Sequence, residues 1–419
     1  MFKNILTTFS TKFLISIMNF ILVVITSRFL GAEIRGEISL VVLALAIITL
    51  ISEIIGGPAT VYLIPKTNIK PLLIPSYVWG VFASLIATAV LSMLGYLPQG
   101  YEVDIFLLGL MATFKVSNNT LIFGKKKILE VNLVHLLYFV SLFLSVLYFI
   151  FIDHQTTLKL YINGLFISSL LALFLSSFFL IRNNEGDSYF LKKDNFLILI
   201  RNGIFNQLSN VFHVLTNRIN FYLLGVTALI GVYSAGISFT EALLLFSGSS
   251  AGILMAEVAN EKSATRSQRL ALGLAKVNLI ICLFGWVLLM LLPQSFYILL
   301  LGNEFEDVKL VLTFLGPGIC FISYKAQLTH YFSGKGKHYI NTIAALGSLL
   351  VNIVFAIFLI PQFGLKGAAI SASIAYFVSL SIAVGFFKKE RIIATSFLFP
   401  QKEELNLVRK KISEKFGLS

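Results

Sequence analysis

The sequence predicts an all-α integral membrane protein with about twelve transmembrane helices, arranged as two parallel six-helix halves around a central cavity. Three observations support this fold class. Of the 419 residues, 57% are hydrophobic and 13% are charged, and this charged fraction is about half that of soluble domains. Apolar runs of about 20 residues, the length that crosses a bilayer, recur along the whole chain. Two pairs of motifs recur in the same order, which indicates an internal repeat.

The apolar runs place twelve spans along the chain. The first run follows a short Lys-bearing start and has no small-residue cleavage site after it, so we interpret it as a retained helix and not as a signal peptide. The predicted spans are residues 12–30, 38–63, 72–94, 104–123, 130–152, 160–181, 203–224, 234–257, 271–292, 308–332, 340–360 and 367–387. The tail from residue 388 contains an amphipathic stretch (LNLVRKKISEKF) that we expect at the cytoplasmic surface.

The basic residues are distributed asymmetrically between the two sides of the predicted membrane. With the N-terminus placed in the cytoplasm, the inner segments with the adjoining span ends hold 25 of the 33 Lys and Arg residues, the outer segments with the adjoining span ends hold 5, and the middles of the spans hold 3. Inner loops of membrane proteins are enriched in Lys and Arg in this way. The distribution therefore predicts two cytoplasmic termini, and it accounts for the net charge of +13 without a nucleic-acid partner.

The internal repeat is visible in two motif pairs. Lys115 precedes Gly124 and a run of lysines at the end of span 4, and Lys325 precedes Gly334 and Lys-Gly-Lys at the end of span 10. Span 1 ends RFLGAEIRGEIS and span 7 ends YLLGVTALIGVYS. Since six is an even number of spans, both halves begin in the cytoplasm and the repeats are parallel, which suits rocking-type alternating access. We predict domains at 1–202, 203–387 and 388–419.

Three basic residues lie at least six residues from either end of a predicted span: Lys115 on span 4, Arg218 on span 7 and Lys325 on span 10. A cation within a span usually faces a cavity or a partner side chain. Because Lys115 and Lys325 are related by the repeat, structural pairing with a buried acid or a helix end is an equally good interpretation. Arg218 lies near the outer end of its helix, so its side chain could instead extend to the membrane surface.

Span 7 is the most polar of the predicted spans. Asn206, Asn210, His213, Asn217 and Asn220 fall within a sector about 80° wide if the span is helical. These amides suit a hydroxyl-rich ligand, but the same stripe could join helices through hydrogen bonds. His213 is a candidate proton carrier, and a structural hydrogen-bonding histidine is the alternative interpretation.

Two acids also lie within spans, Glu53 on span 2 and Glu241 on span 8. An acid in a span is a candidate for ion coupling, and an ion pair with Arg218 or a lysine is the alternative. Glu53 precedes Gly-Gly-Pro, where a hinge is plausible. Cys282 and Cys320 are expected to be packing residues. The sequence shows no metal-ligand spacing, Ser/His/Asp order or nucleotide loop, so we expect no metal, cofactor or enzymatic activity.

Three stretches are familiar from one protein family: RFLGAEIRGEIS (28–39), LLLGNEFEDVKLVLTFLGPG (299–318) and PQFGLKGAAISASIAYFVS (361–379). In this order they resemble the polysaccharide exporter family. The chain as a whole is similar to Wzx-type O-antigen or capsule repeat-unit flippases. That family belongs to the multidrug/oligosaccharidyl-lipid/polysaccharide superfamily, which also contains MATE drug exporters and MurJ lipid II flippases.

The resemblance implies a substrate, an undecaprenyl-diphosphate-linked oligosaccharide of lipopolysaccharide or capsule, translocated across the bacterial inner membrane. It also implies contact with membrane lipids, a polysaccharide polymerase and a chain-length regulator. A diphosphate-linked sugar requires cations and amides as partners. The candidate substrate-binding residues are therefore Lys115, Arg218, Lys325, Asn206, Asn210 and Asn217. The candidate ion-coupling residues are Glu53, Glu241 and His213.

Three other functions remain to be weighed. A MATE-type exporter of cationic drugs needs an acidic cavity, whereas span 1 has no acid and span 7 carries Arg218. A lipid-linked-sugar polymerase or ligase generally needs a large outer loop with Arg and His, whereas His154 is the only His in the predicted outer loops. Lipid II flippases usually have fourteen spans, and twelve are predicted here.

Overall fold

The helices of the structure follow the predicted spans. A computed structural model of the chain describes residues 2–57, 60, 64, 69–183, 193–261 and 263–390, and within these ranges it contains helices and turns but no strand. The helices are α1 (Phe2–Gly56), α2 (Ile69–Met93), α3 (Glu102–Gly124), α4 (Ile128–Phe151), α5 (Leu158–Arg182), α6 (Lys193–Leu224), α7 (Thr227–Asn260), α8 (Ala264–Leu291), α9 (Gln294–Leu301), α10 (Val308–Gly334) and α11 (His338–Lys389).

Two of these helices contain a break at a glycine, and each therefore accounts for two predicted spans. Gly31 (φ 80°, ψ 176°) interrupts α1, and Gly364 (φ 54°, ψ −126°) interrupts α11. Glycine adopts a positive φ without the steric cost that a side chain would add. With each break counted, the described residues form twelve long helical segments, and each segment overlaps one predicted span.

Eight of the described helices are long and apolar enough to cross a membrane. Two of the eight, Ser10–Gly56 and His338–Lys389, have 47 and 52 residues and so have the length for two crossings each. Helices dominate because lipid offers the backbone no hydrogen-bond partners, so each span must satisfy its own N–H and C=O groups. Hydroxyl side chains bond one turn back in the same way, as Thr26 does to the Leu22 carbonyl at 2.7 Å.

The chain divides into two compact units. The first comprises Met1–Val211, Gly225–Ser234 and Leu300–Phe305, and the second comprises Phe212–Leu224, Ala235–Leu299 and Glu306–Ser419. In the first unit α1 packs on α2, α3 and α4, and α5 packs on α3 and α4. In the second unit α10 packs against α8 and α11. The predicted domain boundary after residue 202 stays a prediction, and the predicted surface helix of the tail lies outside the described residues.

The backbone repeats itself at the ends of α3 and α10. Both helices finish with a Schellman motif, in which a residue of positive φ closes the last turn through two crossed hydrogen bonds. The residue of positive φ is Lys126 (63°) in the first repeat and Gly336 (72°) in the second. The bonds are Lys126 N to Phe123 O (2.8 Å), Lys127 N to Ile122 O (3.3 Å), Gly336 N to Ser333 O (3.0 Å) and Lys337 N to Phe332 O (2.9 Å). The Lys/Gly motif pair therefore reflects a shared structural element.

Candidate functional site

Lys115 is buried inside the first unit without an acidic partner. It lies on α3 with 9% of its surface exposed, and its ammonium group sits 3.6 Å from the centroid of the Tyr138 ring on α4. The Tyr138 hydroxyl lies close to Ser168 and Ser169 of α5. No ion pair to Lys115 occurs within the described residues, so a cation–π contact is its main electrostatic stabilisation there. The alternative of a structural Lys–acid pair is not observed.

Two neighbouring amides on α3 have opposite surroundings. Asn118 is fully buried and accepts a hydrogen bond from the Tyr77 hydroxyl at 2.6 Å. It also donates to Ser176 at 3.1 Å and to Ser177 at 3.2 Å, which ties α3 to α2 and α5. Asn119 is 6% exposed, yet both its amide nitrogen and its amide oxygen lack a partner among the described residues. A buried amide without partners costs free energy, so such groups often mark a functional position.

Glu53 belongs to a short hydrogen-bonded chain in the first unit. Its carboxylate accepts a hydrogen bond from the Gln207 side chain of α6 at 3.0 Å, and Asn210 donates to the Gln207 oxygen at 3.0 Å. α1 ends three residues after Glu53, at Gly56. The structure thus links Glu53 to Asn210 through Gln207. Gln207 lies outside the asparagine stripe, so the pattern of span 7 did not indicate this contact.

Lys325 is the repeat-related cation of the second unit. It lies on α10 with 8% of its surface exposed, and it makes no hydrogen bond or ion pair within the part of the chain that the structure describes. His213 of α6 is close enough to interact with it electrostatically. His213 also contacts the Asn217 amide nitrogen one turn along the helix, at 3.3 Å. Two of the predicted stripe residues therefore lie together, beside a buried lysine.

Arg218 forms an ion pair with Glu241, also in the second unit. The distance from Arg218 Nη2 to Glu241 Oε1 is 2.5 Å, and the two side chains are 29% and 53% exposed. The Arg218 guanidinium also lies 5.3 Å from the centroid of the Phe221 ring. The pair joins α6 to α7. Of the two interpretations considered for Glu241, the structure shows the ion pair.

The last member of the stripe, Asn220, forms hydrogen bonds to a neighbouring helix. Its amide nitrogen donates to the Ala368 carbonyl at 2.8 Å and to Ser371 at 3.3 Å, which joins α6 to α11. Asn352 of α11 donates in return to the Thr216 carbonyl of α6 at 2.8 Å. This end of the stripe therefore holds helices together. The side chain of Asn206, at the other end, lies outside the described residues.

The predicted residues thus form separate clusters in the two units. The first unit holds Lys115 and the Glu53–Gln207–Asn210 chain, and the second holds Lys325 with His213 and Asn217, and the Arg218–Glu241 pair. That Lys115, Arg218 and Lys325 line one cavity stays a prediction, as do the substrate-binding and ion-coupling roles. Cys282 and Cys320 are free and buried, and their thiols lie close to each other, which their positions in the sequence did not indicate.

Sequence comparison gives one partial similarity. No protein-family model matches the chain. Over 169 residues, 38% of this chain, the sequence is 25% identical to the capsular polysaccharide biosynthesis protein CapF of Staphylococcus aureus. The alignment spans 43% of the length of that relative.

Structural comparison gives matches over nearly the whole chain. The lipid II flippase MurJ in an inward closed conformation matches with a TM-score of 0.74 at 14% identity, covering 97% of this chain and 91% of MurJ. An inward-facing MATE multidrug resistance transporter matches with a TM-score of 0.68 at 14% identity, covering 90% and 94%. A transporter from Pyrococcus furiosus, whose binding pocket is described as having reverse polarity, matches with a TM-score of 0.59 at 15% identity, covering 93% and 94%. The chain therefore has the all-helical membrane fold that the MATE and MurJ transporters share.

Proposed function

We propose that this chain is a flippase that moves undecaprenyl-diphosphate-linked oligosaccharide repeat units of O-antigen or capsule across the bacterial inner membrane by alternating access. Its fold, shared with transporters and a lipid flippase, supports a transport function. The partial similarity to a capsular polysaccharide biosynthesis protein supports a lipid-linked glycan as the substrate. In this proposal both termini are cytoplasmic, and a polymerase and a chain-length regulator act on the translocated product.

The observation that carries the proposal is the pair of buried ammonium groups on α3 and α10. Lys115 and Lys325 are 9% and 8% exposed, and neither has a carboxylate partner within the described residues. A buried cation without a counter-ion is costly, and it is retained where it serves an anionic ligand or a transport path. A diphosphate supplies the missing negative charge, and ammonium groups bind phosphate oxygens well.

The Arg218–Glu241 pair provides a route to ion coupling. The Arg218 guanidinium neutralises the Glu241 carboxylate at 2.5 Å, and a substrate diphosphate would compete for the same guanidinium. Once displaced, the Glu241 carboxylate would be left without its counter-ion and would be free to bind a coupling cation. In this proposal substrate binding and ion coupling are linked because one arginine serves two anions in turn.

The same contacts disfavour export of cationic drugs. A site for a cation needs a carboxylate that is not already neutralised. Glu241 is paired with Arg218. Together with the two buried lysines, which have no carboxylate partner among the described residues, this pair favours an anionic substrate.

The proposal predicts flipping of a diphosphate lipid by the purified protein. The chain is reconstituted into liposomes with a fluorescent polyprenyl-diphosphate oligosaccharide. Flipping is measured as the increase with time in the fraction of this lipid that a membrane-impermeant quencher can reach. We expect flipping above that of empty liposomes and, for Arg218→Gln, a rate reduced about tenfold or more, since a charged contact to the substrate is lost.

Arg266→Gln is the matched control. Arg266 lies on α8, a different helix from that of Arg218, and it is an exposed cation paired with Glu261 at 3.4 Å. It is expected to flip at the wild-type rate. Flipping no faster than in empty liposomes, combined with transport of a cationic dye, would overturn the proposal in favour of a drug exporter.

A further inference from the structure

Two repeat-related glycines bring α1 and α7 into backbone contact within the first unit. A Cβ atom placed on Gly36 would lie 1.8 Å from the Thr227 carbonyl oxygen, and one placed on Gly231 would lie 1.9 Å from the Ala32 carbonyl oxygen. Real Cβ atoms do not approach other atoms so closely, so only glycine fits at either position. The two helices therefore cross with their backbones in direct contact.

The crossing is symmetric under the internal repeat. The same difference of 195 residues separates Gly36 from Gly231 and Ala32 from Thr227. Each glycine therefore meets the carbonyl of the residue that opens the opposite helical segment. Such a contact is isologous, with the same surface used by both partners. The charge distribution of the sequence places this end of both helices at the outer side of the membrane.

A carboxylate from a third segment adds to this contact. Glu304, between α9 and α10, accepts a hydrogen bond from the backbone N–H of Ala32 at 2.6 Å. Its carboxylate would lie 2.9 Å from a Cβ atom at Gly31, which has a φ of +80°. Ala32 opens the helical segment that follows the break, where free N–H groups and the helix dipole favour a negative charge. Glu304 thus caps the helix that crosses α7.

We propose that Glu304 and the Gly36–Gly231 crossing form an outer latch that holds the chain closed on its outer side. The latch joins Gly225–Ser234 and Leu300–Phe305 to the helices of the first repeat, although both segments belong to the second repeat. Opening on the outer side requires these contacts to separate, so their strength sets the population of the outward-open state. Glu304 acts as a positioning residue and touches no substrate. The inference rests on alternating access but not on the identity of the substrate.

The test measures outer accessibility without substrate. Ser39, which is 5% exposed on α1, is replaced by cysteine in a chain carrying Cys282→Ala and Cys320→Ala. The rate of modification by a membrane-impermeant maleimide is compared between this reporter chain, its Glu304→Ala variant and its Glu304→Gln variant. Loss of a charge-assisted hydrogen bond is expected to raise the rate about tenfold in Glu304→Ala. Glu304→Gln keeps an acceptor oxygen, so its modification rate is expected to lie between those of the reporter chain and Glu304→Ala.

Glu306→Gln is the control, because Glu306 is exposed in the same loop and the Ala32 N–H donates its hydrogen bond to Glu304. In this variant the maleimide is expected to modify the cysteine at position 39 at the same rate as in the reporter chain. Equal rates for Glu304→Ala and Glu306→Gln would overturn the latch. If Glu304→Ala does not fold, hydrogen exchange of the Ala32 backbone amide is measured in Glu304→Gln. Protection of that amide equal to that in the reporter chain would also contradict the latch. Because no substrate is present, these outcomes are independent of the flipping assay.

Discussion

At the residue scale, Asn118 and Asn119 are neighbouring, identical side chains with different hydrogen-bonding environments. Asn118 links three helices through hydrogen bonds to Tyr77, Ser176 and Ser177. Asn119, one residue further along α3, is buried with its amide unpaired among the described residues. It lies one helical turn beyond Lys115, on the same side of α3. An amide and an ammonium group so placed can both serve one anionic or hydroxyl-rich ligand.

The two asparagines therefore predict opposite effects of the same substitution. Asn118→Ala leaves the Tyr77 and serine hydroxyls without their partner and is expected to destabilise the protein by about 2 kcal/mol. Asn119→Ala removes an amide that has no described partner and is expected to be neutral or stabilising. Thermal unfolding in detergent measures both changes. A larger loss of stability in Asn119→Ala than in Asn118→Ala would contradict this account.

At the element scale, the Schellman motifs that end α3 and α10 share one hydrogen-bond pattern but differ in sequence at the critical position. Lys126 adopts a φ of 63°, whereas the repeat-related residue is Gly336 at 72°. A left-handed conformation costs a non-glycine residue about 1 kcal/mol. The first repeat therefore carries backbone strain at a position where the second carries none.

This difference predicts a reciprocal pair of variants. Lys126→Gly is expected to stabilise the protein by up to about 1 kcal/mol, because it relieves the strain. Gly336→Ala is expected to destabilise it by about 1 kcal/mol, because it introduces the same strain into the second repeat. Denaturation of both variants in the same detergent measures the two shifts. Destabilisation by Lys126→Gly would show that the lysine side chain stabilises the protein by more than its left-handed backbone conformation costs.

The sequence predicted the elements well because hydropathy and glycine positions are local properties. All twelve predicted spans overlap helical segments of the described chain, and the Leu-Gly exit from span 1 coincides with the break at Gly31. Contacts between helices were harder to predict, since they depend on how each helix is rotated in the fold. The Arg218–Glu241 pair was one of two interpretations, while Gln207 as the partner of Glu53 was missed.

At the scale of the whole molecule, the two repeats share backbone features but differ in their buried polar groups. Lys115 rests on the Tyr138 ring, whereas Lys325 lies near His213. Position 348, which the offset between Lys115 and Lys325 pairs with Tyr138, is Ser348. The two repeat-related lysines therefore have chemically different surroundings, each within its own unit.

The orientation of the whole molecule can be tested with single cysteines. In the proposed orientation Lys126 lies in the cytoplasm and Glu306 lies outside, because inner loops are rich in basic residues. In intact cells a membrane-impermeant maleimide is expected to modify Glu306→Cys, and to modify Lys126→Cys only after the membrane is permeabilised. Both variants are made in the chain that lacks Cys282 and Cys320. Modification of Lys126→Cys in intact cells would reverse the proposed orientation.

The isologous glycine crossing also places one constraint on two distant parts of the sequence. A contact in which Gly36 meets Thr227 and Gly231 meets Ala32 has the symmetry of a homodimer. The two glycines are separate positions of one chain, yet they share one steric requirement. A bulky substitution at either one alone blocks the crossing, so a side chain that is tolerated on one helix depends on the backbone of the other.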